Sequence, residues 1–149
     1  MKDIKKILFP VDLLEPFEKI IPYVHTMANR LEAEIHLLYV VKGLDYFANA
    51  YLPLAPNINI EEVIESAQNG LYDFKDEYFR DLPGTKVTVV SGDAAEEILN
   101  YTGSKRVEMI IMGTHGRKGL DKALFGSVAE RVVKTAPVPV MVVNTFQEE

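Results

Sequence analysis

The chain has 149 residues, of which 48% are hydrophobic and 26% are charged, a balance typical of a folded globular protein. Its formal net charge of -6 disfavours general binding to nucleic acid or to an anionic membrane surface, because both repel an acidic protein. The sequence has no cysteine, which excludes disulfide bonds, thiolate metal sites and cysteine nucleophiles. We expect one domain over residues 1–149 and a cytoplasmic location.

Five short, largely apolar segments predict β-strands. The first, residues 7–11, lacks the features of a signal peptide, so we interpret it as a strand buried on both faces. No segment approaches the roughly 18 apolar residues that a membrane-spanning helix needs. Because Pro139 has no N–H to donate, we expect the last strand to lie at an edge of the sheet. The other predicted strands are residues 35–41, 86–91, 109–112 and 138–143.

Apolar residues at spacings of three and four predict helices between the strands. The first pattern begins at Phe17 and contains Pro22, which predicts either a bend there or a regular helix that starts only near Ile20. A second helix is predicted from Ile60. Two more are predicted to start at capping boxes, in which a side chain accepts a hydrogen bond from a free N–H group of the first turn. These boxes are Asp93-x-x-Glu96, with a helix to about residue 101, and Ser127-x-x-Glu130.

Strands and helices thus alternate five and four times, which predicts a doubly wound, Rossmann-like α/β fold with one parallel sheet and helices on both faces. Residues 42–59 show no periodic pattern, and such a segment is typical of a lid, a contact surface or a mobile loop. Its aromatic residues Tyr46, Phe47 and Tyr51 would stack on a base, form a partner surface or, as we prefer, pack onto the domain itself.

A cluster of glycines follows the fourth predicted strand. In a parallel sheet, ligands bind beyond the carboxyl ends of the strands. Glycines there let backbone N–H groups approach an anion, and the start of the next helix favours negative charge. Positive charge from Arg117, Lys118 and Lys122 supports the same interpretation, so we predict a phosphate site. The clustered glycines are Gly113, Gly116, Gly119 and Gly126.

The alternative is that these glycines only relieve crowding in a surface loop. They match neither a Walker A loop nor the G-x-G-x-x-G fingerprint, so both of those motifs are excluded. His115 would be a candidate general base, but it has no evident partner in the sequence and we interpret it as polar surface. His25 and His36 are expected to be structural. No metal-ligand spacing exists, and Mg²⁺ held mainly by phosphates stays open.

The segment Gly113-x2-Gly116-x9-Gly126-Ser127 resembles the ATP-binding motif of the universal stress protein family. Other stretches resemble that family too, so the likeness covers nearly the whole chain: Ile7-Leu-Phe-Pro-Val-Asp12, Leu37-Leu-Tyr-Val-Val41 and Gly92-Asp-Ala-Ala-Glu-Glu-Ile98. The resemblance implies the strand order 3-2-1-4-5 and a nucleotide, ATP or another adenylate, between the first and fourth strands. It also implies a homodimer through the last strand, which begins at Val138 and ends at Val143.

By matching positions, the resemblance assigns the binding site residue by residue. Asp12 would contact the ribose or adenine, although it has an alternative role as a helix cap or turn residue. Val40 would meet adenine through its backbone. Family members usually carry small or polar residues after the aspartate, whereas Leu13 and Leu14 stand here. Pro10 and Val11 would line the base pocket, and the ribose and phosphates would meet Gly113, Gly116, Gly126 and Ser127, flanked by Met112, Thr114, His115, Arg117 and Val128.

Three functions fit this sequence. The preferred one is a regulatory dimer in the stress response, in which bound ATP changes the dimer or a loop and so controls the binding of a protein partner that the sequence does not identify. It is preferred because the phosphate loop shows no evident base, nucleophile or activating arginine. The second is a slow ATPase, in which Asp12, Asp121 or His115 would position water. The third is a scaffold dimer that binds no nucleotide.

Overall fold

The computed structural model describes residues 2–13, 17–42, 59–114 and 126–145. Within them the strands are β1 Lys6–Pro10, β2 Glu34–Val41, β3 Lys86–Ser91, β4 Met109–Gly113 and β5 Val140–Val143. They form one sheet in which neighbouring strands are parallel and follow the order β3-β2-β1-β4-β5. The fold class and the strand order predicted from the sequence are therefore confirmed.

Four α-helices of the described residues connect the strands. They are α1 Ile21–Leu31, α2 Ile60–Tyr78, α3 Ala94–Ser104 and α4 Ser127–Thr135, and a short 3-10 helix, Phe17–Lys19, precedes α1. Pro22 lies in the first turn of α1, where an N–H has no acceptor inside the helix and its loss is tolerated. Of the two predictions for this helix, the regular start near Ile20 is confirmed.

The helices pack on both faces of the sheet. Because consecutive strand residues point to opposite faces, each central strand is buried on both sides and appears in the sequence as a continuous apolar run. The core under α1 and α2 includes Ile7, Phe9, Val24, Ile35, Leu71, Phe74 and Phe79. The core under α3 and α4 includes Leu8, Leu38, Ala95, Ile98, Ile110, Ala129 and Val132.

One of the two predicted capping boxes forms as expected. The N–H of Glu96 donates to the Asp93 carboxylate at 3.0 Å, so Asp93 caps α3. The prediction that Ser127 caps α4 is wrong, because Gly126 is the N-cap and Ser127 is the first helical residue. Gly126 has an extended backbone, and its C=O already accepts the first helical hydrogen bond from Glu130 at 2.9 Å.

β5 lies at an edge of the sheet, as the proline in this segment predicted, and starts two residues later than expected. Pro139 precedes the strand, and its C=O accepts a hydrogen bond from the N–H of Ile110 at 3.0 Å. Residues 43–58, with the aromatic residues Tyr46, Phe47 and Tyr51, lie outside the described residues. None of the helices in the described ranges is both long and apolar enough to cross a membrane.

Candidate functional site

The hydrogen-bonded pairing of β1 with β4 ends before either strand does. β1 pairs with β2 up to Pro10 and Leu38, and β4 pairs with β5 up to Gly113 and Val143. Between β1 and β4, in contrast, only two residue pairs are formed in the described sheet, and the last of them joins Leu8 to Ile110. The hydrogen-bonded pairing of the two central strands therefore ends early, at the edge of the sheet where open parallel sheets bind ligands, and we call the region beyond this last pair the gap.

Pro10 stands where the next hydrogen bond from β1 to β4 would form. Backbone groups of successive strand residues point alternately to the two neighbouring strands. The N–H of Glu34 donates to the C=O of Lys5 at 2.8 Å. The N–H of Val11 donates to the C=O of Leu38, also at 2.8 Å, so the odd-numbered residues here face β2. Pro10 consequently faces β4, and it has no N–H with which to continue that ladder.

The same alternation identifies the backbone groups that are directed towards the gap. The N–H of Thr114 donates to the C=O of Val143 in β5 at 3.0 Å, so Gly113 faces the opposite side, towards β1. The C=O of Leu38 accepts its hydrogen bond from the β1 side, so Val40, two residues later, directs its backbone to that side as well. Gly113 and Val40 thus direct backbone donors and acceptors to the end of β1.

Val11, Asp12 and Leu13 leave the sheet at the gap. Val11 is buried and Asp12 is half-buried. Leu13 packs against the core under α1 and α2, and a Cβ added to Gly70 would lie 3.7 Å from its Cδ1 atom. Leu13 is thus partly buried against the core, whereas Leu14 lies outside the described residues.

A hydrogen bond joins the two ends of the glycine-rich segment. The N–H of Gly126 donates to the C=O of Thr114 at 2.7 Å. Thr114 is buried, and its hydroxyl lies 3.5 Å from the side-chain oxygen of Asn144 and accepts from the N–H of Thr145 at 3.4 Å. The hydrogen bond between Gly126 and Thr114 fixes the start of α4 beside the end of β4, and therefore beside the gap.

The first turn of α4 presents backbone N–H groups near that point. The first four N–H groups of a helix have no acceptor within it, and here they belong to Gly126, Ser127, Val128 and Ala129. The N–H of Gly126 is occupied by Thr114, and Gly126 as N-cap supplies no side-chain hydrogen bond. Within the described part of the chain, the other three N–H groups and the positive end of the helix dipole remain to attract an anion.

An ion pair that the sequence did not predict links α4 to the end of β3. Arg131 Nη1 donates to Asp93 Oδ2 at 2.8 Å, and the same carboxylate oxygen caps α3. The hydrogen bond from Glu96 N–H, with a smaller contribution from Arg131, lowers the pKa of Asp93 below its ordinary value. No spacing in the sequence indicated this pair, because its two residues are 38 positions apart.

Several residues of the predicted site lie outside the described residues, as does Asp121: His115, Gly116, Arg117, Lys118, Gly119 and Lys122. The structure places Pro10, Val11 and Asp12 at the carboxyl end of β1, between the neighbouring strands β4 and β2, and Val40 lies in β2. Met112 is buried in the core under α3 and α4. The described part of the chain contains no group of three or more His, Cys, Asp or Glu side chains that would hold a metal ion.

Comparison with known proteins gives a consistent result. The sequence profile of the universal stress protein family matches residues 3–144. Universal stress protein MJ0577 of Methanocaldococcus jannaschii is 34% identical over 155 residues, which cover 94% of this chain and 94% of that protein. A solved structure of MJ0577 superimposes with a TM-score of 0.79 over 99% of this chain and 100% of the other.

Two more distant structures share the fold and were solved with ligands. A universal stress protein from Archaeoglobus fulgidus in complex with dAMP is 15% identical, with a TM-score of 0.65, and covers 96% of this chain and 100% of its own. A universal stress protein in complex with cAMP is 14% identical, with a TM-score of 0.64, and covers 97% of this chain and 100% of its own. At these identities the likeness is one of fold.

Proposed function

This chain belongs to the universal stress protein family, and on that premise we propose that it binds an adenine nucleotide, with ATP as the expected ligand, in the gap between β1 and β4. The observation that carries the proposal is the end of the β1–β4 pairing at Leu8 and Ile110, together with a start of α4 whose N-cap, Gly126, has no side chain to occupy the N–H groups. Backbone groups at one end and a helix N-terminus at the other suit a base and a phosphate tail respectively.

The adenine end of the proposed site is built from β1 and β2. Val40 directs its backbone N–H and C=O towards the end of β1, where they would pair with the edge of adenine. Pro10 and Val11 would contact the face of the base, and the Asp12 carboxylate, which directly follows, would accept a hydrogen bond from the ribose. The use of cAMP and dAMP as ligands in two proteins of this fold supports an adenine base over another one.

The phosphate end is built from β4 and α4. Gly113 directs its backbone towards the gap, and the N–H groups of Ser127, Val128 and Ala129 would donate to phosphate oxygens. The hydroxyl of Ser127 is free of a capping role and is a further donor for the same oxygens. Gly126 contributes through its position rather than its N–H, which Thr114 occupies. Mg²⁺, if it accompanies ATP, would be held mainly by the phosphates and water.

We further propose that the protein acts as a homodimer through residues 138–143 and that nucleotide binding controls its contact with a protein partner in the stress response. β5 is an edge strand, and its side chains are half-buried. A short apolar edge strand is suited to pairing with the same strand of a second copy. Because β5 pairs directly with β4, a change at the nucleotide site has a short path to the proposed dimer contact.

The first experiment identifies the ligand. The purified protein is denatured, the released small molecules are analysed by mass spectrometry, and the nucleotide-free protein is titrated with ATP by calorimetry in the presence of Mg²⁺. We expect adenine nucleotide in the released fraction and saturable binding of ATP. Neither bound nucleotide nor heat of ATP binding would contradict the proposal and favour a nucleotide-free scaffold.

The bound nucleotide is then followed over time. ATP that stays intact on the protein for hours supports the regulatory role, because a switch needs a long-lived bound state. Steady release of phosphate that is lost on substitution of Gly113 by alanine would instead identify a slow ATPase.

A further inference from the structure

We propose that Arg131 sets the preference of this site for nucleotides with a long phosphate tail. In the bound state its guanidinium exchanges the Asp93 carboxylate for the outer phosphate groups of ATP. The inference rests on the proposed nucleotide site. It goes beyond that proposal because it assigns the selectivity for ATP over AMP to the ion pair that links α4 to the N-terminus of α3.

The position of Arg131 on α4 places its charge near the phosphate end of the site. Ser127 and Arg131 are four residues apart, so their side chains lie on the same side of the helix. Helical side chains also lean towards the N-terminus of their helix. The guanidinium is therefore directed back to the first turn of α4, where the free N–H groups of Ser127 and Val128 would bind phosphate.

The partner of Arg131 comes from the other side of the gap. Asp93 follows β3, whereas Arg131 follows β4, and in the sheet β2 and β1 lie between those two strands. The 2.8 Å contact between them thus brings together chain segments from both sides of the strands on which the base would lie. A phosphate tail that leaves the gap towards α4 would meet this ion pair.

The contact can be exchanged at low cost. The side chains of Arg131 and Asp93 are 56% and 50% exposed, and ion pairs in such positions contribute little to stability. When Arg131 leaves, Asp93 keeps its hydrogen bond from the N–H of Glu96 and remains the cap of α3. A guanidinium forms two parallel hydrogen bonds with a phosphate group, so the new contact is stronger than the one it replaces.

α4 contains a matched control for this charge. Lys134 is a second cation on the same helix, and its Nζ atom donates to Glu130 at 2.8 Å in an exposed pair. It lies three residues further from the N-terminus than Arg131. Substitution of either residue by glutamine removes one positive charge from α4, but only the loss at Arg131 removes the proposed phosphate contact.

The test compares ATP with AMP, which shares the base, the ribose and one phosphate. Kd values are measured by calorimetry for the full chain and for Arg131→Gln and Lys134→Gln. We expect Arg131→Gln to weaken ATP binding about tenfold, the loss typical of one charge-assisted contact, and to change AMP binding less than about twofold. Lys134→Gln should leave both Kd values within about twofold of the original chain.

Asp93→Asn should change ATP affinity in the opposite direction. Asparagine is as good a helix cap as aspartate, so α3 keeps its start, while Arg131 loses its competing carboxylate. We expect ATP to bind a few-fold more tightly and AMP to bind unchanged. Equal losses of ATP and AMP binding in Arg131→Gln, or weaker ATP binding in Asp93→Asn, would overturn the inference and leave the nucleotide site intact. Failure of the original chain to bind either nucleotide would overturn the proposed function itself.

Discussion

The absence of one N–H group, that of Pro10, has a large effect on the sheet. Pro10 faces β4, and the pairing between β1 and β4 ends at Leu8 and Ile110, although β1 continues to Pro10. A residue that lacks an N–H cannot continue a ladder of hydrogen bonds, and Pro10 stands where the next hydrogen bond to β4 would form. The proposed nucleotide site is therefore sensitive to this single position.

Pro10→Val tests that relation. The substitution returns an N–H directed at β4, so the strands should close towards each other and ATP binding should weaken about tenfold, measured by calorimetry. The free energy of unfolding in urea should stay unchanged or rise by about 1 kcal/mol, the usual contribution of a hydrogen bond. The matched control is Pro139→Val, which changes the same residue type on the other side of β4 from β1 and should leave ATP binding unaffected. Unchanged ATP binding in Pro10→Val would contradict the role given to Pro10.

His36 and His25 are integrated into the packing of the domain, which fits the structural roles expected of them. His36 is buried, with Nδ1 at 2.7 Å from the hydroxyl of Tyr101 and Nε2 at 2.6 Å from Glu34. Neutral His36 accepts from the hydroxyl and donates to the carboxylate. The Nε2 atom of His25 lies 2.7 Å from the C=O of Tyr78, at the end of α2.

The buried position of His36 predicts a pH dependence of stability. Burial lowers the pKa of His36 below its ordinary value of 6.5, against the opposing effect of Glu34, while Lys6 and Lys86 lower it further. At a pH between the lowered pKa and 6.5, the unfolded chain binds more protons at this residue than the folded chain does. The contribution of neutral His36 to the free energy of unfolding is therefore fully present above pH 6.5 and decreases as the pH falls below 6.5. Urea unfolding on both sides of pH 6.5 should show this decline, and His36→Gln should reduce it. An identical decline in that variant would exclude His36 as its source.

At the scale of elements, two similar sequence patterns gave different outcomes. Asp93-x-x-Glu96 predicted the cap of α3 correctly, because the donor and the acceptor are three residues apart and need nothing else. Ser127-x-x-Glu130 has the same spacing, yet the preceding Gly126 is the N-cap and is fixed by its hydrogen bond to Thr114. That hydrogen bond joins the two ends of a long segment, so a pattern of four neighbouring residues could not predict which residue is the N-cap of α4.

The start of α4 can be changed in a way that separates helix stability from anion binding. In Gly126→Asp the new carboxylate should accept from the N–H of Val128 or Ala129, since aspartate is a preferred N-cap. We expect the free energy of unfolding to stay the same or rise by a few tenths of a kcal/mol, and ATP affinity to fall about a hundredfold because charge and donors are both taken. The backbone of Gly126, at φ -59° and ψ 143°, is open to either residue.

Gly126→Ala is the control for that substitution, because it adds a Cβ without a carboxylate. It should keep ATP binding within a few-fold of the original chain by calorimetry. If Gly126→Asp binds ATP as well as Gly126→Ala does, the phosphate tail does not lie at the start of α4.

At the scale of the whole molecule, features that depend on residues close together in the sequence were predictable, and features that depend on residues far apart in the sequence were not. The alternation of strands and helices and the apolar runs are local patterns, and they gave the fold class, while the strand order came from the family resemblance. The Arg131–Asp93 ion pair joins residues 38 apart and depends on how α4 packs beside α3, so no spacing in the sequence indicated it. The missing N–H of Pro10 was visible in the sequence, but its direction required the register of β1 against β2.

The outer side of β5 is the surface of the proposed dimer. The N–H groups of Ile110 in β4 and of Thr114, which directly follows β4, donate to the C=O groups of Pro139 and Val143, so the odd-numbered residues of this segment face β4. Val142 consequently directs its backbone N–H and C=O outward. At the opposite edge, the N–H of Gly92 donates to Val41 in β2, so the odd-numbered Val89 of β3 directs its backbone outward as well.

Proline at these two positions gives a matched test of the dimer. Val142→Pro removes an outward N–H from β5 without removing a hydrogen bond to β4, so the fold should persist while a second copy loses a donor for edge pairing. We expect light scattering at micromolar concentration to give the mass of a dimer for the original chain and of a monomer for Val142→Pro. Val89→Pro makes the same change at the other edge and should stay dimeric. A dimer that survives Val142→Pro but dissociates in Val89→Pro would place the contact at β3 instead.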